Sequence, residues 1–172
     1  MINEAHNVDC MEYLKTCVDK QFDLAIVDPP YGGAGNESQS QGKTRFGGRF
    51  DKYKTVERTG GTWSKKYKRK IIDWDIAPPK EYFTELFRVS KNQIIFGGNY
   101  FDLPPTRCFI VWEKLTISEK FSMAMCEYAW TSFFSNAKLF KYAPQNSSRF
   151  HPTQKPVELY KWILQNYAKN GD

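Results

Sequence analysis

The chain of 172 residues has the length of one domain with a single core. Hydrophobic residues make up 41% of it and aromatic residues 16%, which predicts a packed globular fold and argues against intrinsic disorder. No apolar run approaches the roughly 20 residues that cross a bilayer, and the first residues lack the pattern of a signal peptide. We therefore expect a cytoplasmic protein with no membrane partner.

The net charge of +6 is concentrated in one segment. Residues 41–70 hold eleven Lys or Arg and two acidic residues, so this segment carries +9 and the rest of the chain −3. One cationic segment on a near-neutral domain is typical of a protein that binds a polyanion, although a solvated loop without a partner would have the same composition. The cysteines and histidines lack metal-binding spacing, so we expect no metal and reduced thiols.

Apolar patterns predict strands that alternate with helices. A short helix over residues 9–15 comes first, and a buried strand over residues 22–27 follows it. Residues 32–70 show no apolar periodicity, and we predict a long functional loop there. Pro78-Pro79 opens a second helix and Pro156 a last one, because the first helical turn tolerates proline. Further strands are predicted over residues 93–96, 108–112, 127–134 and 139–142.

This order predicts an α/β fold whose sheet is mainly parallel and covered on both faces. No helix separates the last two predicted strands, at residues 127–134 and 139–142. We therefore expect these two strands to form an antiparallel edge. We predict a single domain over residues 1–172, with a basic variable loop at about residues 32–70.

Asp28-Pro29-Pro30-Tyr31 follows the first strand, at the edge where open α/β sheets bind ligands. These residues suit chemistry on the exocyclic amine of a nucleobase, which is a poor nucleophile because its lone pair is delocalised. The Asp28 carboxylate and the Pro29 carbonyl can accept its two N–H bonds, and proline fixes that carbonyl by fixing φ. Tyr31 offers a face to a base flipped out of the duplex, worth ~1–3 kcal/mol. A proline turn with an Asp cap is the structural alternative.

The tetrapeptide resembles the catalytic signature of the DNA amino-methyltransferases, and further segments extend this resemblance. The chain is similar to the bacterial and phage DNA adenine-N6 methyltransferases of the permuted group, in which the catalytic segment precedes the glycine-rich loop for the cofactor. The matching segments, in the order of the family, are residues 7–14, 73–75 with 81–83, 88–101 and 151–159.

The resemblance implies a Rossmann-like methyltransferase sheet, S-adenosylmethionine as cofactor and double-stranded DNA as partner, in the cytoplasm of a bacterium or phage-infected cell. It implies catalytic roles for Asp28, Pro29, Pro30 and Tyr31. The cofactor residues that it implies are Asp9, Cys10, Asp28, Thr153 and Lys155. Outside this resemblance, Asp9 would be a helix cap, Cys10 a small buried filler and Thr153 an N-cap.

Two other segments have predicted roles in the same site. The turn Gly97-Gly98-Asn99-Tyr100 would lie beside the catalytic strand and shape the pocket, although a plain tight turn would have the same sequence. Basic residues of the long loop would contact DNA phosphates, which would give affinity but no selectivity for a DNA sequence. These residues are Arg45, Arg49, Lys65, Lys66, Lys68 and Arg69.

The glycine-rich cofactor loop of the family is absent, which predicts a C-terminally incomplete domain whose exposed strand edge a homodimer would cover. The expected reaction is methyl transfer to adenine N6 in DNA. Methylation of cytosine N4 is the nearest alternative, but Asp28 favours adenine because the cytosine enzymes more often have serine there. A non-catalytic DNA-binding remnant is the other alternative. Carbon-5 methylation of cytosine fits poorly, because no cysteine follows a proline.

Overall fold

A computed structural model of the chain describes residues 4–31, 76–119, 124–144 and 154–169. The chain divides into two units, and the first comprises Met1–Pro29, Pro79–Asn146 and Lys155–Asp172. The second comprises Pro30–Pro78 and Ser147–Gln154, of which only the ends are described. The predicted loop therefore lies outside the described residues. So do the predicted site residues Arg45, Arg49, Lys65, Lys66, Lys68, Arg69 and Thr153.

The first unit is an α/β fold. Its helices are α1 (Cys10–Thr16), α2 (Lys80–Val89) and α3 (Val157–Tyr167). Its strands are β1 (Phe22–Val27), β2 (Ser90–Phe96), β3 (Phe109–Lys114), β4 (Cys126–Thr131) and β5 (Lys138–Tyr142). Each lies close to its predicted place, so the apolar periodicity identified these α-helices and strands; the predicted glycine turn contains a short 3-10 helix, Gly98–Tyr100.

The described strands form one mixed sheet in the order β1-β2-β4-β3-β5. Strands β1 and β2 are parallel, as are β3 and β5, whereas β4 is antiparallel to both of its neighbours. All strands except β4 therefore run in the same direction. Because β4 is reversed, its first residues lie at the sheet edge where β1, β2 and β3 end.

The predicted antiparallel edge is wrong. The antiparallel strand β4 is internal, and the edge strand β5 pairs parallel with β3. The connection between β4 and β5 crosses the start of β3, where Ser135 Oγ donates to Cys108 Sγ at 3.1 Å. Thr106 Oγ1 contacts the carbonyl oxygen of Thr131 at 2.7 Å and so fixes the end of β4 beside the same place. Strand β3 thus occupies the position that a hairpin partner of β4 would need.

Helices cover both faces of the sheet, as predicted. Side chains alternate along β2, so Ile94 and Phe96 belong to the core cluster under α3, whereas Ile95 belongs to the cluster under α1 and α2. Helix α3 contributes Leu159 and Ile163 to the first cluster, and both are fully buried. A strand with apolar residues on both faces is expected in the interior of such a sheet.

Candidate active site

Charged side chains from distant parts of the chain meet at the carboxyl edge of the sheet. Asp28 directly follows β1, and Lys114 is the last residue of β3. Glu127 lies at the start of β4, which reaches this edge because the strand is reversed. Lys155 precedes α3, whose N-cap is Pro156. The topology thus brings two carboxylates and two lysine ammonium groups together, all within the first unit.

The closest contact in this group joins Lys155 to Asp28. Lys155 Nζ donates to Asp28 Oδ2 at 2.6 Å, although the residues are 127 positions apart. The Lys155 side chain is 4% exposed and that of Asp28 is 29% exposed. The ammonium also lies 4.7 Å from the centre of the Phe96 ring, a cation–π contact. A buried ammonium requires such partners, because removing it from water without them costs several kcal/mol.

Glu127 connects this ion pair to a second lysine. Its Oε1 lies 2.7 Å from Lys114 Nζ, and its Oε2 lies 3.4 Å from Lys155 Nζ. Oε2 is buried and, among the residues that the structure describes, accepts no hydrogen bond of good geometry, so its contact with Lys155 is one of charge. Burial acts to raise the pKa of Glu127, but the ammonium groups of Lys155 and Lys114 outweigh it, and the pKa is lowered. Positive and negative groups thus alternate in the order Lys114, Glu127, Lys155 and Asp28.

Two tyrosines lie within electrostatic range of Asp28. Burial raises the pKa of Tyr82 to about 12, with smaller contributions from Cys10 and Asp28. Burial also raises the pKa of Tyr160 to about 12, with contributions from Asp28 and Glu127. Both hydroxyls therefore stay protonated at neutral pH and can donate hydrogen bonds beside the carboxylates.

The segment that precedes β1 begins with a capped helix. Asp9 Oδ1 accepts hydrogen bonds from the backbone amides of Met11 at 2.9 Å and Glu12 at 3.1 Å. The helix-cap interpretation of Asp9 is therefore confirmed. Cys10 is exposed, so its interpretation as a buried filler is wrong.

The glycine turn after β2 has the tight geometry that its sequence predicts. Gly97 has φ 66°, in the left-handed region that favours glycine, and its amide donates to Tyr128 O at 2.9 Å. Gly98 packs so closely on Trp130 that a Cβ atom at this position would overlap Trp130 Cβ. Because β1 and β2 are adjacent and parallel, this turn and Asp28 follow neighbouring strand ends.

The other residues of the predicted tetrapeptide are divided between the two units. Pro29 is buried at the end of the first unit, whereas Pro30 and Tyr31 belong to the second and are partly buried. The predicted stacking role of Tyr31 stays a prediction.

Sequence reasoning identified Asp28 and Lys155 but missed Lys114 and Glu127. The one sequence signal for them is a charged residue at a terminus of a strand, since Lys114 is the last residue of β3 and Glu127 the second residue of β4. This signal does not show that the two residues meet, because their meeting depends on the reversed direction of β4. Tyr160 was missed for a different reason, since its spacing in α3 is that of an ordinary core residue.

No protein-family model matches the chain, and no match is found among curated proteins. In the part of the chain that the structure describes, no group of three or more His, Cys, Asp or Glu side chains is placed to hold a metal ion. No helix in the same residues is long and apolar enough to cross a membrane. The geometry around Asp28 is therefore the main basis for assigning a function.

Proposed function

We propose that this chain is an S-adenosylmethionine-dependent DNA methyltransferase that acts on adenine N6. The observation that carries the proposal is Asp28, which follows a parallel strand, precedes buried Pro29 and is held by a buried lysine at 2.6 Å. We further propose that the mixed sheet belongs to a Rossmann-like methyltransferase fold. The adjacent, parallel ends of β1 and β2 support this, because ligands of α/β sheets bind at such carboxyl ends.

In this proposal the protein activates the amine by accepting its hydrogen bonds. Asp28 accepts one N–H and the Pro29 carbonyl accepts the other, which concentrates the lone pair on nitrogen and directs it away from the ring. The contact with Lys155 fixes the orientation of the carboxylate before the substrate arrives. Such preorganisation matters because hydrogen-bond acceptors that are already in place need not reorganise during the reaction.

The charged residues also suit the amino-acid part of the cofactor. Lys155 is a buried cation that can attract its carboxylate. Asp9 fits less well, because its Oδ1 already caps α1. When bound, the cofactor would supply the sulfonium methyl group. Thr153, the other cofactor residue in this proposal, lies outside the described residues.

DNA is the proposed partner of the basic segment. Residues 41–70 carry +9, enough to hold several phosphates, and they follow the catalytic tetrapeptide in the chain. The target base would leave the duplex at a cost of a few kcal/mol and stack on Tyr31. Phosphate contacts would supply affinity that falls steeply with salt concentration.

The test is transfer of a labelled methyl group from S-adenosylmethionine to unmethylated DNA, followed by digestion of the DNA to nucleosides. The expected product is N6-methyl-deoxyadenosine. N4-methyl-deoxycytidine would show that the same amine chemistry acts on cytosine and would overturn the choice of base. Absence of transfer, with salt-sensitive DNA binding intact, would overturn the enzyme and favour the DNA-binding remnant.

A further inference from the structure

We propose that Glu127 is a positioning residue of this site, which holds the Lys155 ammonium in place beside Asp28. Lys114 is its counter-ion on the other side. The catalytic consequence rests on the proposed function, but the positioning itself is a property of the folded chain. No motif pointed to Glu127, which reaches the site only because β4 runs against its neighbours.

The distances define a chain of charges with Lys155 in the middle. Lys155 Nζ lies 2.6 Å from Asp28 and 3.4 Å from Glu127, and its side chain is 4% exposed. Two carboxylates thus contact the ammonium, one directly after β1 and the other on β4. Glu127 pulls it towards β4, which limits how strongly it is drawn onto Asp28.

Lys114 keeps Glu127 ionised and in place. It lies 2.7 Å from Glu127 Oε1, is itself 10% exposed, and its ammonium lies 5.3 Å from the centre of the Trp112 ring. Removing Glu127 would leave both lysines without one of their anionic partners, which is unfavourable for buried cations. The Lys155 ammonium would then bind Asp28 more tightly, and Asp28 would become a weaker acceptor for an amine.

A set of double-mutant cycles tests the positioning without requiring any enzymatic activity. Urea unfolding is measured for Asp28→Asn, Glu127→Gln and the double variant, in the wild-type chain and again with Lys155→Met. We expect Asp28 and Glu127 to be coupled by roughly threefold or more in the unfolding equilibrium constant, and this coupling to vanish when Lys155 is methionine. Coupling that is absent from the start, or that persists without Lys155, overturns the proposal.

Glu113→Gln is the matched control for these cycles. Glu113 is an acidic residue at the end of β3 that pairs with Lys141 at 3.0 Å, but its side chain is 42% exposed. It should show no coupling to Asp28. If Glu127→Gln does not fold, wild-type protein is used, and nuclear Overhauser contacts between the Lys155 ammonium and the Glu127 side chain are expected. Absence of these contacts overturns the proposal as well.

A kinetic measurement tests the catalytic consequence. Glu127→Gln should lower kcat for methyl transfer by roughly 10- to 100-fold with DNA binding unchanged, and Glu127→Asp should recover part of the loss. A wild-type kcat in Glu127→Gln overturns the catalytic role. If wild type transfers no methyl group while the unfolding cycles show coupling, the proposed function fails and the positioning role of Glu127 stands.

Discussion

Lys155 is the residue on which the arrangement of the site depends, because its buried ammonium contacts two carboxylates and one aromatic ring. Buried ion pairs are a poor source of stability, since desolvation of the charges offsets most of their attraction. A partly buried pair at the end of a strand therefore indicates a role in fixing geometry. At this position the geometry fixed is that of Asp28, the acceptor in the proposed reaction.

Gly98 gives a direct test of close packing beside the site. An alanine Cβ would overlap Trp130 Cβ, and Trp130 is 6% exposed, so the sheet must shift to accommodate it. We expect Gly98→Ala to lower the free energy of unfolding by about 1–3 kcal/mol, measured by urea denaturation. Asn99→Ala on the same turn is the control, because Asn99 is exposed and should change stability little. Equal stability of the two variants would contradict the described packing.

At this scale the sequence identified both members of the Asp28–Lys155 pair but not the contact between them. Asp28 stands out because prolines and an aromatic residue follow it, whereas Lys155 was predicted only from the resemblance of residues 151–159 to a methyltransferase segment. Their pairing depends on where α3 begins relative to β1, which local sequence does not encode. Glu127 has no local signal beyond its charge, so only the tertiary structure identifies it.

At the scale of elements, Arg88 joins α1 to α2. Its guanidinium donates to the carbonyl oxygens of Leu14 at 2.9 Å and Cys17 at 2.9 Å, at the C-terminal end of α1. It also forms ion pairs with the carboxylates of Asp19 at 2.7 Å and Glu85 at 2.8 Å. These bonds raise the pKa of Arg88, through Glu85 first and Asp19 second. One side chain thus caps one helix from another.

Replacement of Arg88 should loosen this junction. Arg88→Met removes the donors to two carbonyl oxygens at the end of α1, so we expect a lower free energy of unfolding. We also expect amide exchange to speed up, relative to wild type, more in α1 than in β2. Hydrogen exchange followed by mass spectrometry measures this difference. Lys91→Met is the matched control, because Lys91 is 54% exposed and pairs with Asp23 on the surface, where ion pairs contribute little. Unchanged exchange in α1 of Arg88→Met would contradict the role.

The strands and helices themselves were predictable, whereas their pairing was only partly so. Apolar runs mark β3, β4 and β5 without showing direction, because buried parallel and antiparallel strands share the same composition. A short connection between β4 and β5 therefore favoured a hairpin. Contacts of Ser135 and Thr106 around the start of β3 decide the path instead, and these are tertiary.

At the scale of the whole molecule, the charge cluster makes the free energy of unfolding decrease as the pH becomes acidic. The pKa of Glu127 is below its ordinary value of 4.5 in the folded chain. A carboxyl whose pKa is lowered on folding stabilises the protein above its unfolded pKa, and this contribution is lost as the pH falls through the folded value. We expect the stability difference between wild type and Glu127→Gln to shrink below about pH 4.5. Urea unfolding at several pH values measures it, and a constant difference would contradict the lowered pKa.

The central claim is that Asp28 prepares an amine of DNA for methylation, and single-turnover methyl transfer by Asp28→Ala tests it most directly. We expect a loss of roughly 10²- to 10⁴-fold in rate with DNA binding retained, because the variant lacks the acceptor for the amine proton. Asp23→Ala is the matched control, since Asp23 lies on β1, the strand that Asp28 follows, and pairs with Lys91 on the surface. Transfer by Asp28→Ala at the rate of wild type and of this control would contradict the account.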